Sequence, residues 1–187
     1  MNNQASLLPA RERILLTAHD LFYRDGVRAT GIDKVIADAG VTKVTFYRHF
    51  PSKNDLVCAF LDYRHERWMA WFVDALTRHG ANEGRLTEAV VRAMREWFES
   101  EAFRGCAFIN SVIELGGSLQ DVIDISRQHK QSMTDVLAAH LPQEQQTAGL
   151  ACAMAVAIDG AIIRAQYDQT PDAALAALAL LLKSLAW

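Results

Sequence analysis

Cysteine is scarce and poorly placed for chemistry. Cys58, Cys106 and Cys152 are odd in number and widely spaced, which argues against a disulfide framework and against a cysteine-rich metal site. The six histidines, His19, His49, His65, His79, His129 and His140, show no H-E-x-x-H or other ligand spacing, so no metal is expected. No G-x-S-x-G, phosphate loop or Cys/His nucleophile pattern appears, so neither an enzyme nor a cofactor is expected. Long apolar runs are missing too: the longest, Leu150 to Ile158 and Ala173 to Leu182, reach about half of a membrane span. The opening MNNQASLLPARER lacks the apolar core of a signal peptide, and a cytoplasmic location is expected. Charge of one sign is not dominant either, the formal net being −3. Residues 1–55 carry eight Lys and Arg against six Asp and Glu, and the remainder eleven against sixteen. The small basic excess therefore sits at the N-terminal end.

Proline occurs four times, and Pro9, Pro51, Pro142 and Pro171 all fall at plausible helix entries or boundaries. Between them helical periodicity dominates, and strand alternation is not evident. The pattern predicts an all-α chain of about nine helices, at 11–25, 32–39, 43–50, 53–79, 85–102, 106–116, 119–140, 143–168 and 172–186. With 187 residues, a small domain followed by a larger one is reasonable, divided here into 1–55 and 56–187. The helix starting near Ser52 would connect them. The first helix would bury Ile14, Leu15, Ala18, Leu21 and Phe22 and end at Gly26.

Residues 30 to 53, TGIDKVIADAGVTKVTFYRHFPSK, hold three helix starts in close order. Thr30 with Asp33 and Ser52 with Asp55 are capping-box-like pairs, and Thr42 is positioned to cap the short helix between them. Ile32, Val35, Ile36 and Ala39 recur at helical spacing, and Gly40 is suited to the left-handed turn that ends such a helix. Phe46 and Phe50, four apart, form the inward face of the next helix, leaving Lys43, Val44, Thr45, Arg48 and His49 on its other faces. Helix, glycine turn and short polar helix make a helix-turn-helix, a unit whose second helix enters the DNA major groove. Arg48 suits a guanine edge, and Val44 or the Thr45 methyl suits a thymine methyl.

The segment from Arg11 to Leu56 resembles the N-terminal domain of TetR-family (tetracycline-repressor-like) regulators. The resemblance rests on ERILLTAHDLFYRDG, Thr30, the run IADAGV, and FYRHFPSK with Leu56 behind it. It implies an N-terminal three-helix DNA-binding domain and a C-terminal helical domain for dimerisation and effector binding. It also implies that Thr45 and Arg48 approach bases or backbone, and that Thr30, Lys43, Tyr47, His49 and Lys53 meet phosphates or the groove. With Thr42 and Val44 these make up the expected DNA-binding set. Val44 departs from the family's usual small or polar residue. Cys106 follows Arg104-Gly105 at an expected helix start, where a thiolate would be favoured. The resemblance permits an oxidant- or electrophile-sensing role there, although a buried inert cysteine is the plainer reading.

Two further features belong to the second domain. Its last two helices are apolar on nearly every side, more than a small domain's own core needs. Gly149, Ala153, Val156, Gly160, Ile163 and Tyr167 form one stripe, and Leu175, Leu178, Leu182 and Leu185 another. Both are expected to pair with a second copy in a two-fold four-helix bundle. Trp68, Trp71, Phe72, Met94, Trp97 and Phe108, with Asn110 and Glu114 as polar anchors, are expected to line an apolar effector pocket, core packing being the alternative. The expected function is a homodimeric regulator, a repressor released from a palindromic double-stranded DNA operator by a hydrophobic or aromatic small molecule. The competing readings are a thiol-based sensor through Cys106 and a ligand-independent DNA-binding protein.

Overall fold

The computed structural model describes residues 8–142, 147–168 and 170–185. Among these are nine α-helices and a single 3₁₀ turn (Ala81–Glu83), with no strand. The helices are α1 (Ala10–Asp25), α2 (Ile32–Asp38), α3 (Lys43–His49), α4 (Lys53–Arg78), α5 (Leu86–Phe98), α6 (Ala107–Leu115), α7 (Gln120–Ala139), α8 (Thr147–Tyr167) and α9 (Asp172–Ser184). The predicted start of the eighth helix at 143 and end of the ninth at 186 lie outside the described residues. The largest difference from the expected bounds is α5, which stops at Phe98 rather than 102. There the Ser100 side chain accepts the Ala102 N–H at 3.3 Å, a local bond that competes with continuing the helix.

The chain's contacts group into two compact units. The first takes the described residues through His65 together with Ala107–Ser126, and the second takes Glu66–Cys106 with the residues from Arg127 onward. This differs from a division after residue 55, and the reason is the packing of early α4. Phe60 meets Phe22 edge-on at 5.5 Å, and the Arg64 guanidinium lies 3.8 Å from the Tyr23 ring centroid. The first turns of α4 therefore complete the core built by α1, rather than only leading away from it.

In the first unit α1 packs on α2 and α3, and these two pack on each other. Ile14, Ala18, Leu21 and Phe22 of α1 are buried as expected, with Leu15 half-buried. Val35 of α2 and Ala39 at its C-cap, Phe46 and Phe50 around α3, and Leu56, Val57, Phe60 and Leu61 of α4 join them. Truncating a fully buried ring such as Phe46 to alanine would cost roughly 3–5 kcal/mol. In the second unit α9 packs on α8 and α5. Its core holds Phe72, Leu76, Val90, Met94, Met133, Leu137, Met154 and Ile158, all buried. By length and composition α8 could also cross a membrane, but its inward residues, including Ala151, Met154, Ile158 and Ile162, are already covered by protein.

Candidate nucleic-acid interface

Local chemistry sets the geometry of α3. Thr42, extended at φ −82° and ψ 158°, caps it by accepting the Thr45 N–H at 3.1 Å. Gly40 turns the chain into it at φ 61°, in the left-handed region that a side chain would strain. Phe46 and Phe50 are buried, so the rotation of α3 about its axis is locked. At about 3.6 residues per turn, Val44 and Arg48 then lie roughly opposite Phe46, with Tyr47 and Thr45 flanking them. Val44, Arg48, Lys43 and Thr42 are exposed, as is Tyr47, whose ring stands edge-on to Phe46 at 5.2 Å. Thr45 and His49 are half-buried, and the Thr45 hydroxyl is engaged with that of Thr42 at 2.9 Å.

The other two members of the expected set have different surroundings. Thr30 is buried, and its hydroxyl donates to the Gly26 carbonyl at 2.8 Å instead of capping α2, whose N-cap is Gly31 with no side-chain cap. Its side chain braces the α1–α2 turn. Lys53 reaches back to the same turn and donates to the Val27 carbonyl at 2.7 Å. Burial lowers the pKa of its ammonium, while the Glu114 carboxylate raises it. Ser52 and Asp55 do form the expected box: the Ser52 hydroxyl donates to the Asp55 carboxylate at 2.6 Å and accepts the Asp55 N–H at 3.1 Å.

Three residues that shape this unit carry no signal in the local sequence. The Arg13 guanidinium on α1 donates to the carbonyls of Ala39 at 3.2 Å and Gly40 at 3.4 Å, pinning the turn ahead of α3. Arg11 sits over the Phe50 ring, 5.2 Å from its centroid. Glu114 on α6 accepts the backbone N–H of Arg28 at 2.7 Å. Their partners lie 26 to 86 residues away for Arg13 and Glu114, beyond any helical period.

The residues of the expected effector pocket are divided between the two units. Trp68, Trp71, Phe72, Met94 and Trp97 belong to the second unit, whereas Phe108, Asn110 and Glu114 belong to the first. Within the first unit, Glu114 braces the α1–α2 turn through the Arg28 N–H. The rings of the second unit pack on one another: Trp68 stacks on Phe72 at 4.8 Å and meets Trp97 at 5.5 Å and buried His129 at 5.1 Å. Trp71 donates its indole N–H to Glu96 at 2.9 Å, and Arg78 holds the same carboxylate at 3.0 Å. These bonds hold Glu96 down to about 2. Trp68 is buried, yet its indole N–H has no hydrogen-bond partner among the described residues.

The helix stripes are sorted by their neighbours. Leu175, Leu178 and Leu182 are buried within the chain, so they are core and not an outer face. The outward apolar residues of α9 are Ala173, Ala176, Ala177, Leu180 and Leu181. On α8 the stripe Gly149, Val156, Gly160, Ile163 and Tyr167 is exposed, with Ala153 half-buried. Cys106 is buried, and beside it Gly105 (φ 82°) lies against the Gln166 side chain, which donates to the Arg104 carbonyl at 3.2 Å. Burial withholds its sulfur from solution oxidants, against the thiol-sensor reading.

Comparison with known proteins agrees with this geometry. Residues 14–60 match the family described as bacterial regulatory proteins, tetR family. The HTH-type transcriptional activator FasR of Mycolicibacterium smegmatis is 32% identical over 104 residues, covering 54% of this chain and 47% of the activator. The aligned part thus spans about half of that relative's length. A TetR-family transcriptional regulator from Streptomyces coelicolor superimposes with a TM-score of 0.79 at 29% identity, covering 94% of this chain and 93% of its own. The multidrug binding protein EbrR, solved with malachite green, shares the fold with a TM-score of 0.72 at 19% identity, covering 94% and 96%. Residues 14–60, with the helix-turn-helix inside them, thus match the tetR family of bacterial regulatory proteins, and the fold is shared from end to end with a TetR-family transcriptional regulator.

Proposed function

We propose that the protein is a homodimeric DNA-binding transcriptional repressor that a small hydrophobic or aromatic molecule releases from its operator. The carrying observation is α3: a capped helix, locked inward by two phenylalanines, that presents Val44, Tyr47, Arg48, Lys43 and Thr42 outward. Such a helix fits the major groove, with Arg48 able to donate two hydrogen bonds to a guanine edge and Lys43 and Tyr47 placed for phosphates. Dimerisation is supported by the outward apolar face of α8 and α9, where Val156 is 66% exposed and Leu180 70% exposed. A second copy of the same face would cover both in a two-fold bundle. A palindromic operator would then present one half-site to each α3, separated by about one helical turn or a multiple of it.

Effector binding is supported by the aromatic cluster around Trp68 and its unpartnered N–H, which an acceptor atom on a flat apolar ligand would satisfy. EbrR, of the same fold, was solved with malachite green. A ligand favouring one arrangement of the dimer would shift the spacing of the two reading helices, and a coupling of about 1–3 kcal/mol would weaken operator binding about 5–150-fold. The test is selection of bound duplexes from a random pool, followed by a reporter driven by a promoter containing the enriched site. The reading expects a palindromic site, repression, and relief by a compound that also quenches tryptophan emission. Arg48→Ala should cost ~1–3 kcal/mol at one base position. Absence of any enriched duplex would refute the DNA reading, and activation of the reporter would refute repression.

A further inference from the structure

We infer that Val44 recognises the 5-methyl group of a thymine and so fixes a T·A pair in each half-site of the operator; the inference rests on α3 being the DNA-reading helix. Val44 is 80% exposed, the highest value among the exposed large apolar side chains of the described residues. It lies one helical turn before Arg48 on the face opposite the buried Phe46, where a side chain is most deeply presented to a groove. As a β-branched residue in a helix it holds essentially one χ1 rotamer, so its two methyls are preset and little rotamer freedom is lost on docking. Thymine is the one base that offers an apolar group in the major groove, and apolar contact with it is the direct way to read it.

The neighbouring candidate is already occupied. The Thr45 hydroxyl is engaged with Thr42 at 2.9 Å, and the Thr45 N–H is donated to the same Thr42 oxygen, so Thr45 serves the start of the helix and is half-buried. Val44 makes no such local bond. An apolar residue at this position offers neither donor nor acceptor, so it cannot hydrogen-bond a guanine, cytosine or adenine edge, and against those bases it would leave polar atoms uncovered. Arg48 and Val44 together would read two nearby positions by different physics, a bidentate hydrogen bond at one and methyl burial at the other.

The experiment uses the full chain and duplexes enriched from a random pool, resynthesised with deoxyuridine in place of thymidine at one position at a time. Deoxyuridine pairs as thymidine does and lacks only the methyl. Burial of one methyl group corresponds to about fourfold in affinity per half-site, so symmetric replacement in both half-sites should cost about fifteenfold at the Val44 position. In Val44→Ala, an exposed change that leaves the core intact, the penalty at that position should fall below about twofold. Thr45→Ser, which keeps the capping hydroxyl and removes only the methyl, should retain the full penalty. Tight binding with no deoxyuridine sensitivity at any position would overturn the role of Val44 while leaving α3 as the reading helix. Transfer of the lost sensitivity from Val44→Ala to Thr45→Ser would overturn it equally. Failure to enrich any duplex would overturn the DNA-reading assignment itself, and the role of Val44 with it.

Discussion

Replacing Glu114 with alanine should loosen the α1–α2 turn without disturbing the helices on either side. The carboxylate accepts the Arg28 N–H at 2.7 Å, and its other oxygen lies 3.2 Å from where a Cβ on Gly26 would stand. Across the same turn Lys53 donates to the Val27 carbonyl, so an acid and a base from two other helices hold consecutive residues of one short segment. A charge-assisted bond to a backbone N–H contributes ~1.5–3 kcal/mol when well shielded. Arg28 is exposed and Glu114 half-buried, so solvent competes and about 1 kcal/mol is expected. That corresponds to about fivefold faster exchange of the Arg28 amide and a melting point ~2–4 °C lower. Glu114→Gln keeps a carbonyl acceptor and loses the charge, and should fall between alanine and wild type. Gly26→Ala perturbs the contact from the other side, crowding the carboxylate and straining a backbone held at φ 89°. Amide exchange read residue by residue is the assay. Unchanged exchange at Arg28 in Glu114→Ala, or a loss spread evenly over α1 to α3, would refute the reasoning.

Other expected outcomes follow from the sorting of α8 and α9. Val156→Asp and Leu180→Asp lie on the outward face and should give a folded chain of half the wild-type mass by light scattering, whereas Leu178→Asp should unfold it because that position is buried. Glu96 is held down to about 2 by Arg78 and Trp71, so its contribution is present above the ordinary glutamate range and is lost as pH falls towards 2. Because Glu96 is partly exposed, this amounts to ~1 kcal/mol, and Glu96→Gln should flatten the acid limb of a pH–melting curve by that amount. Iodoacetamide should leave Cys106 unmodified in the native protein and label it after denaturation, as peptide mass mapping would show; rapid native labelling would restore the thiol-sensor reading.

Whatever is settled within a turn or two of chain is legible in the residues themselves. Thr42 caps α3, Gly40 takes the left-handed conformation, and Ser52 and Asp55 close their box because each needs only a partner within three residues or a backbone freedom that glycine supplies. The inward faces of α1 and α3 follow for the same reason, since one side of each helix is apolar and the other is not. Thr30 shows where that logic stops: two local bonds were open to its hydroxyl, and the packing of the turn selected the Gly26 carbonyl over the end of α2. Glu114 finds the Arg28 amide across 86 residues, a distance at which spacing carries no information. In α9 both faces are apolar, so periodicity alone cannot say whether Leu178 or Leu181 turns inward. Only the packing of α9 on α8 and α5 decides that Leu175, Leu178 and Leu182 are core and leaves Leu180 and Leu181 outside.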